Sequence, residues 1–221
     1  AFLSDPQLVP QPPRDQETDP LRLLFAARLQ RFKGILPLVE AVIANADLAL
    51  ELTIVGADTP TGPDDGSMLE HITRLASHDR RITILPAVHR AAIAGLLGRH
   101  DALVSASTWE TWGTIGLEAL AANRPIVTTP TASVPRMAGH GDLGIVADGF
   151  SPEAIGAALR RAVDERQRLR AMTATTAAQQ HLAALTDHRD ILAGYERLAT
   201  VPLRDPTALT AAAELPPTDP D

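Results

Sequence analysis

Short apolar runs alternate along this chain with longer stretches in which apolar residues return every three or four positions. The runs at residues 21–26 (LRLLFA), 50–55 (LELTIV) and 81–85 (RITIL) have the length and residue types of strands, as do 102–104, 126–129 and 143–148. Between them, residues 35–44 place Leu38, Val39 and Val42 on one helical face, and 114–122 offer Ile115, Leu117, Ala119 and Leu120 for burial. Further helices are expected at 68–77, 90–97, 166–185 and 187–198, the last containing Tyr195. Ser151-Pro152-Glu153 opens another that runs to residue 165. Ser suits its N-cap, Pro its first position, and the acid its dipole.

Strands and helices in regular succession predict an α/β fold, a Rossmann-like doubly wound parallel sheet with right-handed crossovers. Residues 21–200 are expected to form this domain. Residues 1–20, rich in Pro, Asp and Gln, read as a linker or N-terminal extension. Residues 201–221, rich in Pro, Thr and Ala, read as a disordered tail with room for a short helix at 207–215. The chain opens on Ala1, which suggests a fragment or processed form of a longer protein.

Sheets of this kind bind ligands beyond the carboxyl ends of their strands. Residues 107–113 (STWETWG) follow the fourth strand, hold both tryptophans and Glu110, and feed a helix through Gly113. Exposed N–H groups and the positive end of the helix dipole favour an anion there. Glu118 lies about one turn into that helix. Carboxylates accept from vicinal hydroxyls, so Glu110 and Glu118 suit a sugar and a ribose bordering one cleft. Each is equally ordinary as a solvated charge, and the tryptophans as core packing. Residues 27–34 follow the first strand and bring Arg28, Arg31 and Lys33 to the same edge, either to meet a diphosphate or as a solvated basic loop. Lys33 is the one lysine against nineteen arginines. A compact ammonium, where the chain otherwise uses the guanidinium fork, points to a narrow site.

Composition narrows the choices. A net charge of −7 argues against general nucleic-acid binding. The absence of cysteine excludes disulfides and thiolate chemistry and fits a cytoplasmic setting. No apolar run is long enough to span a bilayer. No G-x-G-x-x-G occurs, so a dinucleotide cofactor is not expected. Asp64-Asp65, in a Gly/Pro loop, reads as turn chemistry, and His71 and His78 as surface residues, so no metal site is expected.

Glu110-x7-Glu118, with Gly113 three places after the first Glu and Ala119-Leu120-Ala121 after the second, resembles the signature of the retaining GT-B glycosyltransferases. It is similar in particular to glycosyltransferase family 4, the glycosyl transferases group 1. Arg28-Leu29-x3-Lys33-Gly34 resembles that family's Gly-Arg-Leu-x3-Lys-Gly element, with Ala27 for its first Gly. Other departures are the long loop 57–66, Pro86 in the turn near the nucleotide base, Asn123 for Gly, and Arg136 for an acid.

The resemblance spans residues 21–198 and implies one half of a GT-B fold, the C-terminal donor-binding domain. It implies that Glu110 contacts the transferred sugar and Glu118 the ribose. Arg28 and Lys33 would neutralise the departing diphosphate, and backbone amides around Gly113, Thr114 and Ile115 would support its oxygens or the sugar's. The expected function is binding of a nucleotide-sugar, a substrate and not a cofactor, for retaining, metal-independent hexosyl transfer with electrostatic stabilisation of an oxocarbenium-like transition state. The acceptor site would lie on an N-terminal domain of about 150 residues. About twenty residues precede the first strand, so the chain alone is expected to bind donor and to transfer poorly or not at all. Any peripheral membrane association would run through that other domain. The alternative is a non-catalytic nucleotide-sugar-binding or regulatory module of a multidomain protein. Intact Glu110, Glu118, Arg28 and Lys33 argue against it. A GT-B epimerase would need different acid and histidine placement. Pro86 and the insertion at 59–67 leave the base open.

Overall fold

The structure is a computed structural model and describes residues 19–185, apart from 132 and 174. The expected helix at 187–198, the tail and nearly all of the N-terminal linker lie outside the described residues.

Six strands form one sheet in the order β3-β2-β1-β4-β5-β6. They are β1 Leu21–Ala26, β2 Leu50–Val55, β3 Ile82–Leu85, β4 Ala102–Ser105, β5 Ile126–Thr128 and β6 Gly144–Val146. Every pairing is parallel, with Leu21 opposite Leu50 and Leu23 opposite Ala102. The chain winds outward from β1 to β3, then restarts on the other side of β1 with β4. That reversal leaves a crevice beyond the carboxyl ends of β1 and β4, where neighbouring crossovers diverge. The sheet is thus the Rossmann-like doubly wound one that the alternation predicts.

Alternate strand residues face opposite sides, so a parallel sheet covered on both faces needs apolar residues at nearly every position. On one face Leu23, Phe25, Leu52 and Ile54 pack in a core with Leu38, Val42 and Leu159. The helices there are α1 Ile35–Ala44, α2 Met68–Ala76, α6 Pro152–Asp164 and α7 Arg166–Met172. On the other, Leu24, Val55 and Leu103 share a core with Leu97, Leu120 and Met137. That side carries α3 Ala91–Arg99, α4 Thr114–Ala121, α5 Val134–Met137 and α8 Ala177–Leu185. Each fully buried Leu, Ile or Phe contributes about 1.5–3 kcal/mol. Caps fix two of the starts: Ser151 Oγ, expected from the sequence, accepts from Ala154 N at 3.3 Å, and Ser67 Oγ, not anticipated, accepts from Glu70 N at 2.9 Å.

Away from the crevice, Asp101 Oδ2 accepts from Arg22 N at 2.8 Å and from Arg170 Nη2 at 3.2 Å. Arg170 also donates to the carbonyls of Asp19 and Pro20. This buried pair ties the amino ends of β1 and β4 to α7.

Two elements differ from expectation. The single helix at 166–185 is two, α7 and α8. Thr173 Oγ1 and Thr175 Oγ1 donate to the carbonyls of Arg170 and Met172, and Asn123 Nδ2 donates to the carbonyls of Thr173 and Thr175 at 2.6 and 2.7 Å. Side chains here supply what a continuous helix would draw from its own backbone. The apolar pattern assigns no element between residues 130 and 137, yet α5 forms a single turn there that buries Val134 and Met137, three places apart, on one side.

Candidate active site

Two loops meet at the β1–β4 crevice. After β1 the chain passes through Arg28 and a 3-10 turn, Arg31–Lys33, into α1. Gly34 ends the turn at φ 69°, and a Cβ there would lie 1.8 Å from the Ala106 carbonyl oxygen. Only glycine allows both the left-handed backbone and that approach. After β4, residues 107–113 return toward α4. Thr108 N donates to the Phe32 carbonyl at 2.8 Å, which stitches this loop to the first.

The loops bring Lys33 and Glu110 together. Lys33 Nζ donates to Glu110 Oε2 at 2.5 Å, with side chains 16% and 13% exposed. Glu110 Oε1 accepts from Thr111 N at 3.2 Å. Lys33 Nζ also lies 5.4 Å from the centre of the Phe32 ring, within cation–π range. Gly113 N-caps α4 at φ 60° and offers no side chain to its first turn. The opening N–H groups of the helix are therefore left without a side-chain cap.

These groups line a recess of about 230 Å³ with Arg28, Lys33, Glu110, Gly113, Thr114 and Ile115 on its wall. A second recess, of about 480 Å³, adjoins it and shares Arg28, Thr114 and Ile115. Glu118 and Arg90 lie on the second recess alone, against small apolar residues that include Gly56, Ala57 and Val88. Arg90 Nη2 donates to Glu118 Oε1 at 3.0 Å. Glu118 is 8% exposed. Its burial pushes the carboxyl group above its ordinary value, and the Arg90 guanidinium opposes that shift.

All seven candidate residues thus border two adjoining recesses: Arg28, Lys33, Glu110, Gly113, Thr114 and Ile115 on the first, Glu118 on the second. Arg31 does not join them. Its Nε and Nη2 donate to the carbonyls of Thr61 and Gly62 at 3.2 and 2.8 Å, so it holds the long loop after β2 in place. Asp64 and Asp65 form part of that loop's tight turn, at φ 58° and 55°. The tryptophans are not core packing: Trp109 is 63% and Trp112 54% exposed. Trp109 meets the Phe32 ring edge-on, with centroids 6.1 Å apart. Arg90 was missed as a site residue. The available signal was its position in the loop after β3, on the ligand edge.

Asn123 takes φ 56°, the left-handed region in which Asn is the commonest substitute for Gly. Ala27 leaves the loop after β1 intact, because it is Gly56, not Ala27, whose Cβ would strike backbone: 1.8 Å from the Ala27 oxygen.

Residues 11–180 match the sequence profile of the glycosyl transferases group 1. The D-inositol 3-phosphate glycosyltransferase of Paenarthrobacter aurescens (strain TC1) is 31% identical over 193 residues, 82% of this chain and 47% of that protein. Among solved structures, the chain resembles the C-terminal domain of the group 1 family protein LpcC from Francisella tularensis at a TM-score of 0.62 and 18% identity. That match covers 81% of this chain and 96% of the other. It also resembles HepE of Anabaena, solved in complex with UDP-glucose, at a TM-score of 0.64 and 18% identity, covering 82% of this chain and 49% of HepE. The match spans between a third and a half of the length of the D-inositol 3-phosphate glycosyltransferases of Paenarthrobacter aurescens and Pseudarthrobacter chlorophenolicus. With the signature residues gathered at the crevice of a sheet shared with these proteins, the chain belongs to the glycosyl transferases group 1 family.

Proposed function

We propose that this domain binds the nucleotide-sugar donor of a retaining hexosyl transfer, with the diphosphate in the first recess and the nucleoside in the second. The observation that carries this reading is the meeting of Lys33, Glu110 and Arg28 with the uncapped start of α4 around one small recess. A diphosphate brings about two negative charges and needs cations and N–H groups converging from several sides. Lys33 has three ammonium donors, so it can hold Glu110 and a phosphate oxygen together. Ion pairing keeps the half-buried Glu110 available as an acceptor for a sugar hydroxyl. The buried Glu118 accepts from the ribose.

In the transfer step the bond between the sugar's anomeric carbon and the phosphate oxygen breaks, and its electron pair leaves on the diphosphate. The acceptor oxygen bonds to the same face of that carbon, and its proton passes to the departing phosphate oxygen. Arg28, Lys33 and the α4 amides act on the charge that grows on the leaving group, where electrostatic stabilisation lowers the barrier. Nothing in this scheme routes a step through a metal ion. Transfer also requires a second domain that carries the acceptor. The HepE complex with UDP-glucose supports UDP-sugars as the first donors to try.

Titration calorimetry with UDP, GDP, ADP and their glucose conjugates tests this reading. Saturable binding of one nucleotide family is expected, weakened about tenfold or more by Lys33→Ala and by Glu118→Ala, as loss of a charge-assisted contact should do. Absence of saturable binding, or unchanged affinity in both variants, would contradict it.

A further inference from the structure

Resting on that reading, we propose that Phe32 and Trp109 are positioning residues that hold the Lys33 ammonium in place for the diphosphate. The two loops at the crevice are joined at three successive points. The Phe32 carbonyl accepts from Thr108 N at 2.8 Å and from Thr108 Oγ1 at 3.3 Å. The Phe32 ring then meets Trp109 edge-on, with centroids 6.1 Å apart and an interplanar angle of 84°. One residue further along both loops, Lys33 meets Glu110. The aromatic contact and the ion pair are thus consecutive rungs between the same two loops, and the first sets the spacing at which the second forms.

The Phe32 ring also acts on the ammonium directly. Lys33 Nζ lies over it, 5.4 Å from its centre. The Lys33 side chain is largely shielded from water, and the pull of a ring face on a cation grows as water is withdrawn. Lysine is a point charge on a flexible four-carbon stem. A single contact with Glu110 leaves that stem free to swing, and the ring face supplies the second point that fixes it. Trp109 completes the arrangement. At 63% exposed it adds little to the core, so its contact with Phe32 chiefly decides how that ring is oriented. An ammonium ordered in advance gives up less freedom when a phosphate arrives, and binding is tighter for it.

A double-mutant cycle separates this role from a general loss of structure. Calorimetric dissociation constants for the tightest-binding of UDP, GDP and ADP are measured on the wild type, Trp109→Ala, Trp109→Phe, Phe32→Leu, Lys33→Ala and the double variant Lys33→Ala with Trp109→Ala. Melting curves show that each folds. Trp109→Ala and Phe32→Leu should each weaken binding about three- to tenfold. Trp109→Phe keeps an aromatic edge and should stay within about twofold of wild type. In the Lys33→Ala background, Trp109→Ala should cost less than about twofold, because no ammonium remains to be placed. The chain has one lysine, so labelling lysine Cε with 13C gives a single lysine signal, whose order parameter reports how firmly the stem is held. It should fall in Trp109→Ala and in Phe32→Leu. If Lys33→Ala weakens binding but Trp109→Ala does not, or if Trp109→Ala costs as much without Lys33 as with it, the positioning role is overturned while the donor reading stands. An order parameter unchanged in both aromatic variants overturns it equally. If none of the three nucleotides binds the wild type, the donor reading falls and this inference falls with it.

Discussion

With side chains 16% and 13% exposed, Lys33 and Glu110 are too buried for either charge to be left alone. Lys33→Ala should therefore lower stability by about 1–3 kcal/mol, the cost of an unpaired buried group, in addition to weakening diphosphate binding. Replacing both, Lys33→Met with Glu110→Leu, should return urea stability to within about 1 kcal/mol of wild type, because an apolar pair removes the desolvation cost as well as the attraction. Nucleotide binding should not return. Recovery of both would mean that the pair serves only the fold. Glu118 gives the opposite balance. Burial raises its native pKa, so the native state holds the proton more readily than the unfolded chain does. Its contribution to stability is full below the ordinary carboxylate pKa and is lost as pH rises through the raised native value. Glu118→Gln should accordingly match or exceed wild type in stability at pH 7, lose that advantage as pH falls toward about 4, and bind nucleotide more weakly. These two carboxylates were legible because the chain carries them at a fixed spacing on either side of Gly113, which starts α4. Arg90 was not, because its partner lies 28 residues away across the crevice. Nothing local beyond its place after β3 distinguishes it from the other arginines.

At the scale of elements, Gly34 decides whether the two loops can close on each other. Gly34→Ala combines a left-handed backbone with a Cβ 1.8 Å from a carbonyl oxygen, and neither side can move cheaply. A loss of about 2 kcal/mol or more is expected, read as a lower urea midpoint at unchanged slope. His100, the C-cap of α3, joins that helix to β2. Its Nδ1 lies 2.6 Å from the Leu96 carbonyl oxygen and its Nε2 2.9 Å from Thr53 Oγ1. A carbonyl can only accept, so Nδ1 carries the hydrogen and Nε2 takes the Thr53 hydroxyl. Burial pushes this imidazole below its usual value. The unfolded chain then binds the proton first, so the contribution is present above the ordinary histidine pKa and is lost as pH falls through the depressed native value. Stability should decline from about pH 6.5 downward, and His100→Gln should flatten that decline. Strands and long helices were legible because their periods are strong: β1, α1 and β2 fall where the apolar pattern places them. The break before α8 was not, since it depends on Asn123 reaching across fifty residues to the Thr173 carbonyl. Nor was α5, whose four residues are too few to show a period.

At the scale of the whole molecule, the fold and the family were legible together, because the signature residues fall in loops at one edge of one sheet. The base was not, since the recess proposed to hold the nucleoside is assembled from turns after three different strands. Among the described residues no helix is long and apolar enough to cross a membrane. The chain spans 47% of its Paenarthrobacter relative, and the acceptor half is proposed to lie outside it. Donor binding should then need only this domain, whereas sugar transfer should appear only when a second domain is supplied. Donor hydrolysis or transfer by the chain alone at the rate of a two-domain relative would contradict that division. The central claim is narrower: the nucleotide's diphosphate sits at the start of α4, between β1 and β4. Amide hydrogen exchange, with and without the tightest-binding of UDP, GDP and ADP at saturation, tests it most directly. Protection should appear at the Thr114 and Ile115 amides and in the 3-10 turn that carries Lys33. Saturable binding with no change at those amides, or with protection confined to another edge of the sheet, would place the nucleotide elsewhere and contradict the account.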